Sequence, residues 1–310
     1  DTAKMRFKGR SWWFNVLPTD VEVEEIWPEK RVARGDEQVT VLDAIFKPDT
    51  FGTYNYYPDL TDPTRTWGGM MKVLSSTANN LVDENIEFIE FWFNIRSTPA
   101  NAKMYIDLGK ISEDVIPNNR LDKEDLNGNE LIDEGEDTGI DGILDPEERA
   151  RYGIGRTDPA GDNFAYQSSS NQSIWDYYNI NGTQGNAQLT DIGLIPDTED
   201  LNRNGTLDAV NSFFRYEVPI DTSSENNPFI AGGGNNDSWY LMRIPLKDYT
   251  EAIGSPSFSI VENIRVFFTG VSDLVHLRLT EFNLVGNQWQ KLVKEDSVLS
   301  ISVVSIEDNP

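Results

Sequence analysis

Oxygen-bearing side chains recur at fixed spacing in DLNGNELIDEGEDTGIDGILDPEE, residues 125–148. Divided into twelves, this stretch gives two loops end to end. In the first, Asp125, Asn127, Asn129, Asp133 and Glu136 stand at positions 1, 3, 5, 9 and 12, and Leu131 offers its carbonyl at position 7. In the second, Asp137, Gly139, Asp141, Asp145 and Glu148 take those places, with the carbonyl of Ile143 at position 7. A third copy contains Asp200, Asn202, Asn204, Thr206 (through its carbonyl), Asp208 and Asn211. Calcium takes six to eight hard oxygens at about 2.3–2.6 Å, and alternating Asp and Asn on a tight loop deliver them. Magnesium demands a stricter octahedron, and zinc would want imidazole or thiolate ligands that these loops lack. The expected cofactor is therefore Ca2+, two to three ions.

The loops differ at two places. Gly142 and Gly205 occupy the sixth position, where the backbone must turn sharply, whereas the first loop has Glu130 there. The third loop ends in Asn211, which cannot supply a bidentate carboxylate, and is expected to bind most weakly. Acidic runs are usually just solvated loops. Against that stands the repeated pattern, with an apolar residue at position 8 of each copy (Ile132, Leu144, Leu207). Glu136 directly precedes Asp137, so no helix fits between the first two loops. A chain wound around ions, similar to dockerin-like or thrombospondin-type repeats, suits this spacing better than paired helix–loop–helix hands.

Composition narrows the function classes. The 310 residues carry a net charge of −26, against binding a phosphate backbone or anionic lipid. Cysteine is absent, which excludes disulfides, thiolate metal sites and cysteine nucleophiles. Between residues 122 and 148 twelve acidic side chains face one basic one, Lys123, a density that repels itself unless cations neutralise it. No run approaches the ~18 apolar residues of a membrane helix, so no direct membrane insertion by this segment is expected.

The elements that must position the loops read as strands. Residues 12–16, 21–26, 39–46, 70–74, 86–94 and 103–108 are short, β-branched and aromatic, and divided by Pro, Gly or Asp. The last two are expected to pair as a hairpin. Strand signals resume at 213–219, 239–245, 263–269, 275–285 and 297–306. Between them the chain is acidic and rich in Gly and Asn, with short helical signals at 146–152 and 173–178. The fold class expected is all-β: a jelly-roll-like antiparallel β-sandwich, residues 1–108 and 212–310, carrying a long acidic calcium-binding insertion, residues 109–211. Such an insertion, lacking an apolar core, should fold only when loaded. Gly232–Gly234 is expected as a loop tip at the sandwich edge.

Catalytic constellations are not evident. His276, the one histidine, lies in an alternating strand and is expected to serve packing or the surface. No Ser–His–Asp set, phosphate loop or zinc cluster can be assembled. The aromatics (Trp12, Trp13, Trp67, Trp92, Trp175, Trp239 and Trp289, with Tyr54, Tyr56 and Tyr57) could stack on sugars, although core packing is the commoner use. Trp175, Tyr177 and Tyr178 could pack the insertion on the sheet.

Several segments resemble one family, the large SprA/Sov outer-membrane proteins of gliding motility and type 9 secretion. The resemblance is carried by Ala3-Lys4-Met5 with Ser11-Trp12-Trp13 and Leu17-Pro18, by Val23-Glu24-Glu25-Ile26-Trp27-Pro28, and by residues 42–56. It continues through Trp67-Gly68-Gly69-Met70-Met71, NIEFIEFWF (85–93) and YIDLGKISEDV (105–115). EDTGIDGILDPEE, DPAGDNF, EDLNRNGTLD, residues 278–289 and the closing 304–309 follow in order. Thr53 stands where the family usually has proline. The resemblance implies one soluble module of a cell-envelope translocon, with no enzymatic activity and with other domains or subunits of a secretion assembly as partners. Glycan binding by a surface carbohydrate-binding module is the alternative, and a calcium-dependent glycosidase using two facing carboxylates is a weaker one.

Overall fold

Among the described residues eleven strands bury apolar side chains along one face or both, which obliges them to cover a common interior. The computed structural model describes residues 2–286, apart from 34, 36, 61, 76–78, 167–172, 189–194 and 235–237. In chain order the strands are β1 (Gly9–Asn15), β2 (Leu42–Phe51), β3 (Trp67–Val73), β4 (Ile86–Ser97), β5 (Lys103–Lys110) and β6 (Ser212–Pro219). They continue with β7 (Ile230–Gly233), β8 (Trp239–Pro245), β9 (Glu251–Ile253), β10 (Asn263–Thr269) and β11 (Val275–Gly286). One sheet has the order β1-β2-β11-β4-β8-β7 and the other β3-β10-β5-β6-β9. All nine named pairings are antiparallel.

Between the sheets lies a single large apolar core. Ile89, Phe91 and Phe93 of β4 meet Met104, Ile106 and Leu108 of β5, with Phe46, Tyr216, Val218, Met242, Ile244 and Phe268 around them. The period-two pattern of both strands makes this possible, since alternate side chains must share one face. The fold is thus an all-β antiparallel sandwich.

Three local expectations require correction. β5 does not pair with β4: it lies in the other sheet between β10 and β6. The turn at 98–102, with Asn101 at φ 60, is a corner between sheets, and a corner carries the same Pro/Asn signature as a hairpin. Residues 21–26 do not form a strand. Val23–Ile26 is a four-residue helix, α1, closed when the Glu22 N–H donates to Glu25 Oε1 at 2.9 Å. Its Val23 and Ile26 are buried, an i, i+3 pairing that a six-residue apolar alternation cannot be told from. The glycines at 232–233 belong to β7 and pair with β8. The strand expected over 297–306, and Trp289, lie outside the described residues.

Between β5 and β6 the described residues contain one α-helix, α2 (Asp145–Tyr152), and short 3-10 turns at Ile174–Tyr177 and Asn186–Gln188. This segment packs back on the six-stranded sheet. Tyr177 stacks on Phe14 with ring centroids 3.8 Å apart, and Trp12 lies 5.5 Å from Trp175 and 5.1 Å from Tyr178. The Trp12 indole N–H donates to the Ile174 carbonyl at 3.0 Å. Asn181 covers the edge strand β1 as another strand would: it accepts from the Trp13 N–H at 2.8 Å and donates to its carbonyl at 3.1 Å. Buried Arg10 completes the seam, donating to the carbonyls of Gly161 and Tyr178 and to Asn179 Oδ1 at 2.5, 2.8 and 2.7 Å.

Candidate metal centre

A repeated backbone device shapes the acidic segment. Asp125 receives the N–H of Asn129 on Oδ1 (3.3 Å) and that of Glu130 on Oδ2 (2.9 Å). Asp200 does the same with Asn204 (2.9 Å) and Gly205 (2.7 Å). An aspartate that accepts from residues four and five ahead bends the chain into a ring with its carboxylate at the centre. The sixth position must then turn left-handed: Glu130 has φ 61 and Gly205 φ 77. Glutamate meets that turn at a cost glycine avoids. In both loops two asparagine amides converge on the ninth-position carboxylate. Asn127 and Asn129 donate to Asp133 Oδ2 at 2.7 and 3.0 Å, and Asn202 and Asn204 to Asp208 Oδ2 at 2.7 and 2.9 Å.

Two further loops of this shape escaped the twelve-residue template. Asp114 accepts from Asn118 (3.1 Å) and Asn119 (3.2 Å), and Asp158 from Asp162 (3.2 Å) and Asn163 (3.3 Å). Each has an apolar residue, Ile116 or Ala160, at the third position, so the alternation of oxygens is broken. The remaining signal is the Asp-to-Asn/Asp spacing of four, which is common by chance.

Glutamates close these rings, and mostly from elsewhere in the chain. Glu136 closes its own loop, accepting from Leu126 N–H (3.0 Å) and Asp133 N–H (2.9 Å). Glu199 closes the Asp114 loop, accepting from Ile116 (2.8 Å) and Asp122 (3.1 Å). Glu113 reaches the Asp200 loop, where it accepts from the Asp208 N–H at 3.4 Å. Glu124 accepts from Gly139 (2.9 Å) and Asp197 (2.8 Å), beside Asp137, whose Oδ1 accepts from the Gly185 N–H at 2.8 Å. Burial raises Glu124 and Glu199 to about 7, and Asp197 to about 6. Asp125, by contrast, is lowered by the backbone N–H groups of Glu130, Gly128 and Asn129 that point at it.

The deepest convergence involves half of the second predicted loop. Asp141 and Glu148 meet Asp162, and Asp145 and Glu148 meet Asp158, with carboxylate oxygens in each trio within 4.8 Å of one another. Asp137 lies with Glu124 and Asp197 instead, so the second twelve-residue unit is divided between two neighbourhoods. Glu148 and Asp162 are 0% exposed. Both oxygens of Asp162, Oε1 of Glu148 and Oδ1 of Asp145 accept no hydrogen bond from the protein. Burial, followed by the charge of Asp141, pushes Glu148 up to about 8 and Asp162 to about 9. Tyr54, whose hydroxyl meets Thr183 Oγ1 at 2.9 Å, gives Asp162 little relief. Burial raises Asp141 too, although the Tyr56 hydroxyl donates to its Oδ2. A Cβ on Gly139, at φ 76, would run into Asp162 Oδ2, so glycine there leaves the carboxylate its space. An array of oxygens with neither imidazole nor thiol fits a hard divalent cation.

The sandwich contributes the floor of this centre. Tyr54 and Tyr56 follow β2, and the Tyr54 N–H donates to the Ala160 carbonyl at 2.5 Å. Tyr56 stacks on Tyr152 of α2 with centroids 3.8 Å apart. Arg156 donates to the Asn55 carbonyl at 2.5 Å and lies over Phe51. These tyrosines are therefore committed to the joint between sheet and acidic segment.

A family model described as motility related/secretion protein (SprA_N) matches residues 140–310, more than half of the chain, from within the acidic segment through β11. The chain belongs to the SprA_N family. Membership associates it with motility and secretion, and hence with the cell envelope. The family description names no reaction. No curated protein matches the chain. Among the described residues of this SprA_N member, no helix is long and apolar enough to cross a membrane.

Placement of the remaining predicted residues is uneven. Asp125, Asn127, Asn129, Asp133 and Glu136 form one ring, with Leu131 N–H on Asn129 Oδ1 at 2.8 Å. Asp200, Asn202, Asn204, Thr206 and Asp208 form another, with Thr206 N–H on Asn204 Oδ1 at 2.8 Å. Asn211 does not close that ring; its Oδ1 accepts from the Ser112 N–H at 3.2 Å. Ile143 is buried, and its N–H donates to Asp141 Oδ1 at 3.1 Å. His276 is buried and paired, Nε2 to Asp43 Oδ1 at 2.8 Å, a structural role in the sheet.

Proposed function

We propose that this chain is a non-enzymatic, calcium-stabilised β-sandwich module of an outer-membrane-associated motility and secretion assembly. It acts through protein–protein contacts with other domains or subunits of that assembly. One observation carries the calcium part of this reading: Asp162, wholly buried, has two carboxylate oxygens without a donor and faces Asp141 and Glu148. Burying an unpaired carboxylate costs several kcal/mol, and clustering three multiplies the repulsion. A bound divalent cation removes both costs at once. Extracellular calcium at millimolar levels would suffice even for modest affinity.

Family membership supports the assembly role. The acidic segment would then be a rigid surface element set by ions and held to the sheet by Arg10, Trp12 and Tyr177. Limited proteolysis with and without EDTA tests the calcium part. Cleavage within residues 109–211 should appear on chelation and be suppressed by added calcium. An identical cleavage pattern in both conditions would remove calcium from the reading. Crosslinking in intact envelopes tests the contact part: cross-links to secretion or motility components are expected, and cross-links confined to unrelated proteins would reject it.

A further inference from the structure

The acidic segment leaves the sandwich after β5 and returns into β6, and these strands are hydrogen-bonded neighbours, with Lys110 opposite Ser212. Beyond them the two chain ends continue side by side: Ser112 N–H donates to Asn211 Oδ1 at 3.2 Å, and Glu113 N–H to the Asp208 carbonyl at 2.9 Å. Glu113 is only 1% exposed. Its Oε2 takes the long 3.4 Å contact from the Asp208 N–H, while Oε1 is buried and accepts nothing. The charges it feels most are those of Asp208 and Asp200, the ninth and first positions of the neighbouring ring. Glu113 therefore stands against that ring, its backbone N–H and its carboxylate both engaged by Asp208.

The ring lacks one ligand. Asp200, Asn202, Asn204, the Thr206 carbonyl and Asp208 supply one oxygen each, and the twelfth residue, Asn211, is turned to Ser112. The amide nitrogens of Asn202 and Asn204 both point at Asp208 Oδ2, as donors do where positive charge is wanted. Their oxygens accept from the chain, Asn202 Oδ1 from the Asn204 N–H at 3.0 Å and Asn204 Oδ1 from the Thr206 N–H at 2.8 Å, so each amide would turn only partway to share its oxygen with an ion.

We propose that Glu113 is the closing carboxylate of a calcium site in the Asp200 ring, so that one ion clasps the outgoing and returning ends of the acidic segment at its root. The six oxygens come from residues up to 95 positions apart, so the site exists only when both ends are docked. Glu199, adjacent to Asp200, closes the Asp114 ring, adjacent to Glu113. The two ends thus exchange glutamates, and ordering one ring places the closing carboxylate of the other. This inference rests on the reading that the segment takes calcium.

Native mass spectrometry and calorimetric titration with calcium alone, on the full chain, test it. Wild type should bind several ions; Glu113→Gln should bind one fewer and become protease-sensitive at the segment's root. Asn211→Ala should keep the full count. An equal count and unchanged affinities in Glu113→Gln would overturn the clasp while leaving calcium at Asp162 standing. A wild type that binds no calcium would overturn both. Should Glu113→Gln not fold, Glu113→Asp retains the charge but shortens the reach. One site weakened at least about tenfold is then expected, and unchanged affinities would again refute the clasp.

Discussion

Two buried aspartates on either side of the β5–β6 boundary meet opposite circumstances. Asp107, in the sandwich, is 0% exposed and lies between Arg215 and Arg265, each directly opposite it across a strand pair. Arg215 Nε meets Oδ1 at 2.8 Å and Arg265 Nη2 meets Oδ2 at 2.5 Å, while both guanidiniums lie over Phe213 and Phe267. Asp43 is similarly answered by His276 and Arg278. Asp162, in the acidic segment, is equally buried and has no such partner. Residues 109–211 hold 22 acidic against 7 basic side chains, so most carboxylates there cannot find a guanidinium. The sandwich carries its own counter-charges; on the function proposed above, the acidic segment would draw them from solution.

The largest expected effect follows directly. Chelating calcium should lower the melting transition of the acidic segment while the sandwich transition changes little. Within the saturating range, each tenfold change in free calcium is worth about 1.4 kcal/mol per bound ion. Differential scanning calorimetry across a calcium series checks this. Two transitions moving together would show that the regions are one cooperative unit, and a lack of any shift would remove the difference altogether.

The converse experiment is Asp107→Asn. Removing the shared carboxylate strands two guanidiniums and should cost about 3 kcal/mol. Partial exposure of both arginines keeps the figure at the lower end. This loss should be the same with calcium or EDTA, because the ion pairs of Asp107, Arg215 and Arg265 among the described residues are all made within the sandwich. A calcium-dependent loss would couple the two regions through β5 and β6.

How far the sequence revealed this division depends on the range of the interaction. β8 and β10 were legible to the residue, because alternation and flanking Pro or Asn are local signals. The ring geometry at Asp125 and Asp200 was legible for the same reason. The corner after β4 was not, since a turn between sheets and a turn within one use the same residues. Nor was the division of the second twelve-residue unit, because Asp162 joins Asp141 and Glu148 from outside the spacing. Glu113 and Glu199 share that difficulty: each stands in a Glu-Asp dipeptide whose aspartate opens one ring while its glutamate closes another. Only the fold shows which ring a glutamate reaches.

Gly139→Ala would sharpen the comparison inside the acidic segment. The added methyl meets Asp162 Oδ2, and alanine resists φ 76. The backbone term alone costs about 1–2 kcal/mol, and displacement of Asp162 should weaken calcium binding about 10–100-fold. Titration calorimetry reads the second effect. Wild-type affinity in a folded Gly139→Ala would mean that Asp162 is not a ligand.

Acidity should affect the calcium-free protein in a direction opposite to the usual carboxylate. Asp162 and Glu148 are raised to about 9 and about 8 in the fold, above their unfolded values near 4. Their contribution is full below about pH 4 and is lost as pH rises through 8 to 9. In EDTA the segment should therefore lose stability from pH 5 to 9. With calcium present the trend should reverse, because ligation requires the ionised carboxylates. Melting curves at several pH values with each additive would reveal parallel trends if the cluster were not an ion site.

Tyr56→Phe should give the smallest effect and the finest discrimination. The substitution keeps the ring stacked on Tyr152 and removes only the hydroxyl that donates to Asp141 Oδ2. Without calcium that hydroxyl is a side-chain donor to Asp141, and its loss should cost about 1 kcal/mol. With calcium bound, the same oxygen turns to the cation and the hydroxyl matters less. The variant's penalty in EDTA should thus exceed its penalty in calcium. An equal penalty in both would mean that Asp141 keeps the tyrosine in either state and does not bind the ion.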